Sequence, residues 1–208
     1  MKFVSLLSSG IDSPVATYLI SKKVDEMILV HADGRPFTDD REIENFKKLV
    51  RHLKQAMSCN VKTYIVPHGE ALGVFKQNCN IRFTCVFCKR ILLYYAKKIA
   101  ERENADAIVM GDSLGQVASQ TLQNICTIQQ AIDIPVLRPL IGLDKEDVIK
   151  ISKEIGAYDL SIAPSDGCTA VPEKPATMAK IEQILDEEAK ININELVKNA
   201  IENVIIAP

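Results

Sequence analysis

The segment FVSLLSSGIDSPVATYL, residues 3–19, passes from an apolar run to a polar bend and then to a helical pattern of apolar residues. It begins with FVSLL, an apolar run of strand length. A bend of small polar residues follows, and apolar residues at helical spacing come after Ser13. A buried strand that leads directly into a helix is typical of a parallel β–α–β unit. The segment therefore predicts a strand over 3–7 and a helix over 13–23.

The same alternation of short apolar runs and amphipathic segments continues along the chain. Further strands are predicted over 27–33, 61–67, 107–111 and 134–140, and helices over 39–57, 88–102, 116–130 and from Asp144 onward. Residues 156–176, rich in Gly, Pro, Ser and Asp, predict a long loop that two helices follow. The pattern indicates an α/β fold, a parallel sheet of about five strands with helices on both faces. We expect one domain over 1–175, with 176–208 as a helical extension packed on it.

Composition excludes several classes of protein. The 208 residues are 47% hydrophobic with a formal net charge of -2, which fits a folded domain rather than a disordered or collagen-like chain. No apolar run approaches the roughly 18 residues that a spanning helix needs, so we expect no membrane partner and a cytoplasmic location. Thiols start out reduced in that compartment. The six cysteines therefore favour metal binding or sulfur chemistry over disulfides.

The two halves of the chain differ in charge. Residues 1–102 carry 17 Lys and Arg against 10 Asp and Glu, whereas residues 103–208 carry 8 against 17. The basic residues of the first half cluster on two predicted helices: Lys47, Lys48, Arg51 and Lys54 on one, and Lys89, Arg90, Lys97, Lys98 and Arg102 on the other. Each cluster is either a polyanion-binding face or a solvated helix face.

The bend at residues 8–13 has the features of an anion site. Small residues that open a helix leave backbone N–H groups free at the positive end of the helix dipole. The bend lacks both the Gly-Lys-Ser/Thr ending of a Walker A loop and the G-x-G-x-x-G spacing of dinucleotide folds. The alternative is a Ser/Asp helix cap without ligand. Ligands of parallel sheets bind beyond the carboxyl ends of the strands, so His31, Gly111 and Arg138 are expected near the bend.

The segment LLSSGIDSPVA at 6–16 resembles the PP-loop, S-G-G-x-D-S, of ATP pyrophosphatases. Ser9 stands where that loop usually has glycine, and a serine there would be strained if the position needs a positive φ. With GDSLGQVASQTLQNI at 111–125, RPLIGLDKEDVI at 138–149 and YDLSIAPSDGCTAVPEKPAT at 158–177, nearly the whole chain resembles the catalytic domain of the tRNA 4-thiouridine synthetase family. That resemblance implies a Rossmann-like fold of the adenine nucleotide alpha hydrolase type. None of these 208 residues resembles the THUMP module of that family or the rhodanese domain that some members carry.

The resemblance implies an ATP-dependent sulfurtransferase. Such an enzyme adenylates a carbonyl oxygen, which the family points to as that of a uracil in tRNA. It releases pyrophosphate and replaces the oxygen by sulfur. ATP and Mg²⁺ are the implied cofactors. The residues implied to bind nucleotide are Ser8, Ser9, Gly10, Ile11, Asp12, Ser13, Val30, His31, Ala32, Gly111, Asp112 and Gln116, with Ser119 and Gln120 nearby. Asp12 is the candidate catalytic residue that steers the metal or the phosphates; Asp112 either assists it or caps the following helix.

Two other functions stay open. In the first, the chain carries out the same chemistry on a small-molecule acceptor, which the net negative charge allows. In the second, the chain is a non-catalytic nucleotide- or cluster-binding subunit, with Ser9 as the altered loop residue. For a tRNA substrate, the RNA is held by the basic first half or by a separate THUMP-type subunit. The sulfur donor is not identified. The family and the amphipathic C-terminal helices point to a homodimer, unless those helices pack on the sheet.

The motif TCVFCKR places Cys85 and Cys88 just before or at a helix start. The helix dipole and the following Lys89 and Arg90 favour thiolate there. Cys168 lies in the predicted loop. By resemblance, Cys85, Cys88 and Cys168 are catalytic and hold an iron–sulfur cluster, either [4Fe–4S] with one open iron or [3Fe–4S].

Two further uses of these cysteines remain open. One cysteine carries a persulfide that another resolves by disulfide exchange. Alternatively, the three thiols bind zinc with a fourth ligand from Cys79 or His68.

Overall fold

The computed structural model describes residues 1–207 and shows a three-layer α/β arrangement. The strands are β1 (Lys2–Leu6), β2 (Glu26–Asp33), β3 (Asn60–Pro67), β4 (Ala107–Val109), β5 (Val136–Leu137) and β6 (Ile205–Ala207), and they form one sheet in the order β5-β4-β1-β2-β3-β6. The first five are parallel, and β6 is antiparallel to β3. The predicted α/β fold with a parallel sheet is confirmed.

The helices cover both faces of this sheet. They are α1 (Asp12–Ser21), α2 (Asp40–Ala56), α3 (Gly69–Asn78), α4 (Thr84–Glu103), α5 (Leu122–Gln129), α6 (Lys145–Glu154), α7 (Tyr158–Ser161), α8 (Ile181–Glu188) and α9 (Ile193–Glu202). Strand residues alternate between two cores, as the period of two requires. Ile28 and Val30 pack toward α3, α4, α5, α8 and α9, whereas Met27 and Leu29 pack toward α2.

Several elements differ from the sequence-based expectation. The helix predicted over 116–130 begins only at Leu122, because the Thr121 side chain accepts a hydrogen bond from the backbone N–H of Asn124 and caps α5 there. Val117 and Thr121 both have an extended backbone, with ψ of 164° and 153°, so no continuous helix runs through them. Helix α4 begins at Thr84 rather than at residue 88. The sequence pattern predicts neither α3, whose segment contains two glycines, nor the three-residue edge strand β6.

The last helices pack onto the same sheet rather than standing free. Ile184 of α8 and Leu196 and Val197 of α9 belong to the core that α4 shares with the sheet. The buried guanidinium of Arg90 on α4 donates to both carboxylate oxygens of Glu188, at 2.7 and 2.9 Å. The apolar stripe of α8 and α9 is therefore used within this chain. The domain boundary at residue 175 and the homodimer stay predictions.

No helix within residues 1–207 has the length and apolar character needed to cross a membrane.

Candidate active site

A cavity of about 400 Å³ lies at the carboxyl ends of β1, β2, β3 and β4. Its walls come from the N-terminal bend (residues 8–13), the end of β2, the residues after β4 and the first turns of α4. This volume lies within the range of roughly 300–1,000 Å³ that is usual for small-molecule sites. The strand ends that the sequence analysis singles out thus surround one space.

The N-terminal bend is closed by its own side chains. The Ser13 hydroxyl accepts a hydrogen bond from the backbone N–H of Ser8 at 2.9 Å and lies 3.0 Å from the Ser8 hydroxyl. The Ser8 hydroxyl also accepts from the N–H of Gly10 at 3.3 Å. Among the described residues no side chain caps α1, so its first N–H groups are free to receive an anion. The bend is therefore not a simple Ser/Asp cap.

Ser9 is not strained at the position where the resembling loop usually has glycine. Within residues 1–207 the one non-glycine residue with positive φ is Asn104. The Ser9 hydroxyl instead donates to Glu42 on α2 at 3.1 Å, and the other carboxylate oxygen of Glu42 lies 3.0 Å from Nε2 of His31. His31 is buried, and its Nδ1 donates to the carbonyl of Leu7 at 3.0 Å. The serine thus ties the bend to α2 and β2.

Gly111 has a steric reason to be glycine. A Cβ atom there would lie 2.7 Å from both N and Cα of Ser13, which no side chain could relieve because both atoms belong to the backbone. The chain after β4 therefore passes directly against the bend. Asp12, at the start of α1, is paired with Lys145 at the start of α6. Lys145 carries no local signal that the sequence analysis detects, since its position depends on how α6 packs beside α1.

Asp112 is buried and held by two cations. Nζ of Lys89 lies 2.5 Å from Oδ1, and Nε of Arg138 donates to Oδ2 at 3.1 Å. Burial opposes ionisation, but the two ion pairs outweigh it and hold the pKa of the Asp112 carboxyl below its usual value. Asp112 caps no helix, so that alternative is wrong. Arg138, expected near the bend, thus pairs with this acidic residue.

Cys88 and Cys168 line the same cavity as the N-terminal bend. Cys85 lies one turn before Cys88 on α4 and does not line it. Burial raises the pKa of both α4 thiols, to about 12 for Cys88, and Lys89 offsets only part of this effect. The expectation that the helix start lowers these pKa values is therefore wrong, because desolvation outweighs the dipole. Cys168 is exposed.

His68 lies beside Cys88. Its Nε2 is 3.2 Å from the Cys88 sulfur, while its buried Nδ1 has no hydrogen-bond partner in the described part of the chain. Burial lowers the pKa of His68 to about 4, so the ring is neutral at physiological pH. Cys79, the other suggested fourth ligand, contacts the Glu187 carbonyl instead. Within residues 1–207 no three Cys, His, Asp or Glu side chains are arranged to hold a single metal ion.

The loop that carries Cys168 is tied down on both sides. The backbone N–H and the hydroxyl of Thr169 both donate to the Phe37 carbonyl, at 2.8 and 3.1 Å. Arg41 on α2 pairs with Asp166 at 2.5 Å, and the Ala176 N–H donates to the Arg82 carbonyl at 2.8 Å. Cys168 is therefore positioned by contacts with distant parts of the chain.

The remaining predicted residues divide into two groups. Val30, His31 and Ala32 line the cavity, as does Gln120, whose buried Oε1 has no partner within residues 1–207. Gln116 does not line it, and its amide donates to the Ser113 hydroxyl at 3.1 Å. Glu42 also lines the cavity but was not predicted from the sequence, because nothing local to α2 marks it.

A parallel sheet whose first strand leads through a serine- and glycine-containing bend into an uncapped helix, with a cavity beyond that bend, defines the PP-loop class of Rossmann-like ATP pyrophosphatase folds. Comparison with known proteins gives the particular family. The chain belongs to the family described as thiamine biosynthesis protein (ThiI), whose model matches residues 1–193.

The relatives agree with this assignment. A probable tRNA sulfurtransferase from Methanothermobacter thermautotrophicus is 42% identical over 93% of this chain and 50% of its own length. One from Methanobrevibacter smithii is 40% identical over 98% of this chain and 54% of its own length. The chain thus spans about half the length of the curated relatives it matches. The crystal structure of a 4-thiouridine synthetase–RNA complex with bound ATP superimposes with a TM-score of 0.93 at 32% identity, covering 100% of this chain and 55% of that one. The resemblance stated from the sequence is confirmed.

Proposed function

We propose that this chain is the ATP-dependent sulfur-transfer unit of a tRNA-thiolating enzyme. It adenylates a uracil oxygen of tRNA, releases pyrophosphate and replaces that oxygen by sulfur. Relatives named tRNA sulfurtransferase and a similar structure that contains RNA and ATP support this proposal. The observation that carries it is the shared cavity, because the N-terminal bend and two thiols open into one space.

The ATP half of the reaction falls to the N-terminal bend. The uncapped N–H groups of α1 receive the β- and γ-phosphates, and they stabilise the charge that develops on pyrophosphate as the uracil oxygen attacks the α-phosphorus. The adenine lies beside Val30–Ala32. Mg²⁺, when bound, offsets phosphate charge, and Asp12 is the residue that would hold it. Asp112, whose charge Lys89 and Arg138 already balance, orders the wall of the cavity instead.

The sulfur half falls to Cys85, Cys88 and Cys168. Cys85 and Cys88 lie one turn apart on α4, and Cys88 and Cys168 line the same cavity, so the three residues are grouped there. This donor set fits an iron–sulfur cluster better than a single ion, since a cluster spreads its ligands over several irons. Held by these three thiols, a [4Fe–4S] cluster would keep one iron without a protein ligand and would supply an open position for hydrosulfide. The raised pKa of Cys88 opposes the cluster and the persulfide route alike, because a cluster ligand and a persulfide-forming cysteine must both be thiolates.

The deciding experiment measures pyrophosphate release from ATP by the 208-residue chain, with and without unmodified tRNA. We expect tRNA to stimulate release, and Asp12→Asn to lower the stimulated rate by about 10²-fold or more because a charge at the reacting phosphates is lost. Asp159→Asn, an exposed acidic residue on α7, is the matched control and should leave the rate unchanged. Circular dichroism checks that both variants fold.

Other outcomes would contradict the proposal. Release stimulated by a small metabolite and not by tRNA would identify a small-molecule acceptor. ATP binding without turnover under either condition would identify a non-catalytic subunit.

A further inference from the structure

Helix α2 carries a row of cations on its outer side. Lys47, Lys48 and Arg51 are exposed and Lys54 is half-buried, and we call these four residues the α2 basic stripe. The opposite side of the helix buries Phe46, Leu49 and Leu53 against the sheet. Spacings of four and seven residues keep Lys47, Arg51 and Lys54 on one side of the helix.

The stripe is not neutralised within the described chain. Across residues 1–207 none of its four cationic groups takes part in an ion pair. Glu44, the one carboxylate in the sequence from 44 to 55, pairs with none of them either. The helix dipole favours cations only in the last turn, so it accounts for Lys54 but not for Lys47 and Lys48.

The second basic cluster of the sequence, on α4, behaves in the opposite way. Lys89 is held by Asp112 at 2.5 Å and the buried Arg90 by Glu188 at 2.7 Å. Lys97 pairs with Asp133 at 2.5 Å and Lys98 with Glu101 at 2.8 Å. Arg102, the last of the cluster, lies over the Tyr64 ring. The two clusters look alike in sequence, yet four of the five α4 cations are ion-paired within the chain and the α2 basic stripe is not.

The stripe is directed away from the candidate active site along a single rigid element. Glu42, near the start of α2, lines the cavity. At about 1.5 Å per residue, Lys47 lies roughly 8 Å further along the helix axis, and Lys54 about 10 Å beyond Lys47. Glu42 lies on the same side of α2 as the buried Phe46 and Leu49. At about 3.6 residues per turn the stripe lies on the opposite side of the helix, so an RNA that contacts it reaches the cavity by passing around the start of α2.

We propose that the α2 basic stripe binds the phosphate backbone of the substrate RNA, while the target base enters the cavity. This inference rests on the proposed function, which supplies RNA as the occupant. Charge complementarity supports it, because a surface of uncompensated Lys and Arg favours a polyanion and phosphate contacts give register without reading sequence.

The test compares two triple variants of the 208-residue chain that lose the same charge. The stripe variant is Lys47→Gln, Lys48→Gln, Arg51→Gln. The matched control is Lys97→Gln, Lys98→Gln, Lys198→Gln, whose cations are paired in the structure. Binding of unmodified tRNA is followed by fluorescence anisotropy at several salt concentrations, and pyrophosphate release is measured in parallel.

Each lost phosphate contact should reduce the slope of log K against log salt by roughly 0.7 to 0.9. The stripe variant should therefore lose about 2 to 3 units of slope and show a KM for tRNA raised by about tenfold, with kcat at saturating tRNA unchanged. The control should behave as the wild type does.

A stripe variant with the wild-type salt slope and KM would overturn the inference and leave the proposed function standing. Equal losses in both triple variants would also overturn it, since net charge alone would then be responsible. Failure of the proposed function gives a different result, because tRNA would then stimulate no pyrophosphate release in the wild type.

Discussion

The N-terminal bend and the cysteine group open into one cavity but are built in different ways. The bend is contiguous, and the hydrogen bonds that close it join residues no more than five apart in sequence. Its long-range contacts, Ser9 to Glu42 and Asp12 to Lys145, attach this closed bend to α2 and α6. The cysteines come from the first turns of α4 and from a distant loop that is tied to Phe37. The bend therefore owes its geometry to local sequence, whereas the environment of the thiols depends on how remote segments pack.

The largest expected effect tests whether that remote loop completes a cluster. Protein purified without oxygen should be brown and contain iron and acid-labile sulfide, and Cys168→Ala should lose all three because only two of the thiols remain. Cys126→Ala is the matched control, since Cys126 is the other exposed cysteine and lies on α5. Iron analysis and the visible spectrum check both variants. A colourless wild type that still transfers sulfur would favour the persulfide route.

The second prediction compares the alkylation rates of Cys88 and of the exposed Cys168 in metal-free protein. With a pKa of about 12 for Cys88, its thiolate fraction at pH 8 is on the order of 10⁻⁴. Cys168 is exposed whereas Cys88 is half-buried, so iodoacetamide should modify Cys168 at least about 10²-fold faster than Cys88, as followed by mass spectrometry. Because thiolate forms as pH rises toward the pKa, Cys88 labelling should increase about tenfold per pH unit.

Unfolding in guanidinium provides the control for this labelling experiment, because it removes the burial that raises the pKa of Cys88. The difference in rate between Cys88 and Cys168 should then disappear. Similar rates in the folded protein would show that the α4 thiols are solvated and that the contrast with the exposed loop is wrong.

The same contrast explains what the sequence could predict. The first strand, the bend and the following helix are encoded in adjacent residues, so their positions and the free helix start follow from residues 3–23. Local sequence also places Cys85 and Cys88 at a helix start, which predicts a lowered pKa for both thiols. That prediction is wrong because the burial of Cys88 beside His68 comes from α3 and β3, which nothing near Cys88 in the sequence announces.

Other long-range features were missed for the same reason. Lys145 reaches Asp12 only because α6 packs beside α1, and Glu42 reaches Ser9 only because α2 packs beside the bend. The three-residue strand β6 becomes recognisable only when the edge of β3 is known to be free. Likewise, the carboxylates that pair with Lys89, Arg90 and Lys97 come from outside α4, so sequence alone could not separate the α4 cluster from the α2 basic stripe.

The smallest effect concerns the bend itself, through Gly111→Ala. The added Cβ would lie 2.7 Å from N and Cα of Ser13. If the bend stays in place, overpacking should lower the free energy of unfolding by about 1–3 kcal/mol. If the bend moves instead, ATP should bind more weakly. Urea unfolding measures the change in stability, and calorimetric titration measures the change in ATP affinity. Gly142→Ala is the control, because a Cβ there meets nothing within 4 Å; it should stay within about 0.5 kcal/mol of wild type. A Gly111→Ala protein with unchanged stability and ATP affinity would mean that the bend is held less rigidly than its local hydrogen bonds imply, which would remove the difference between the bend and the cysteine loop.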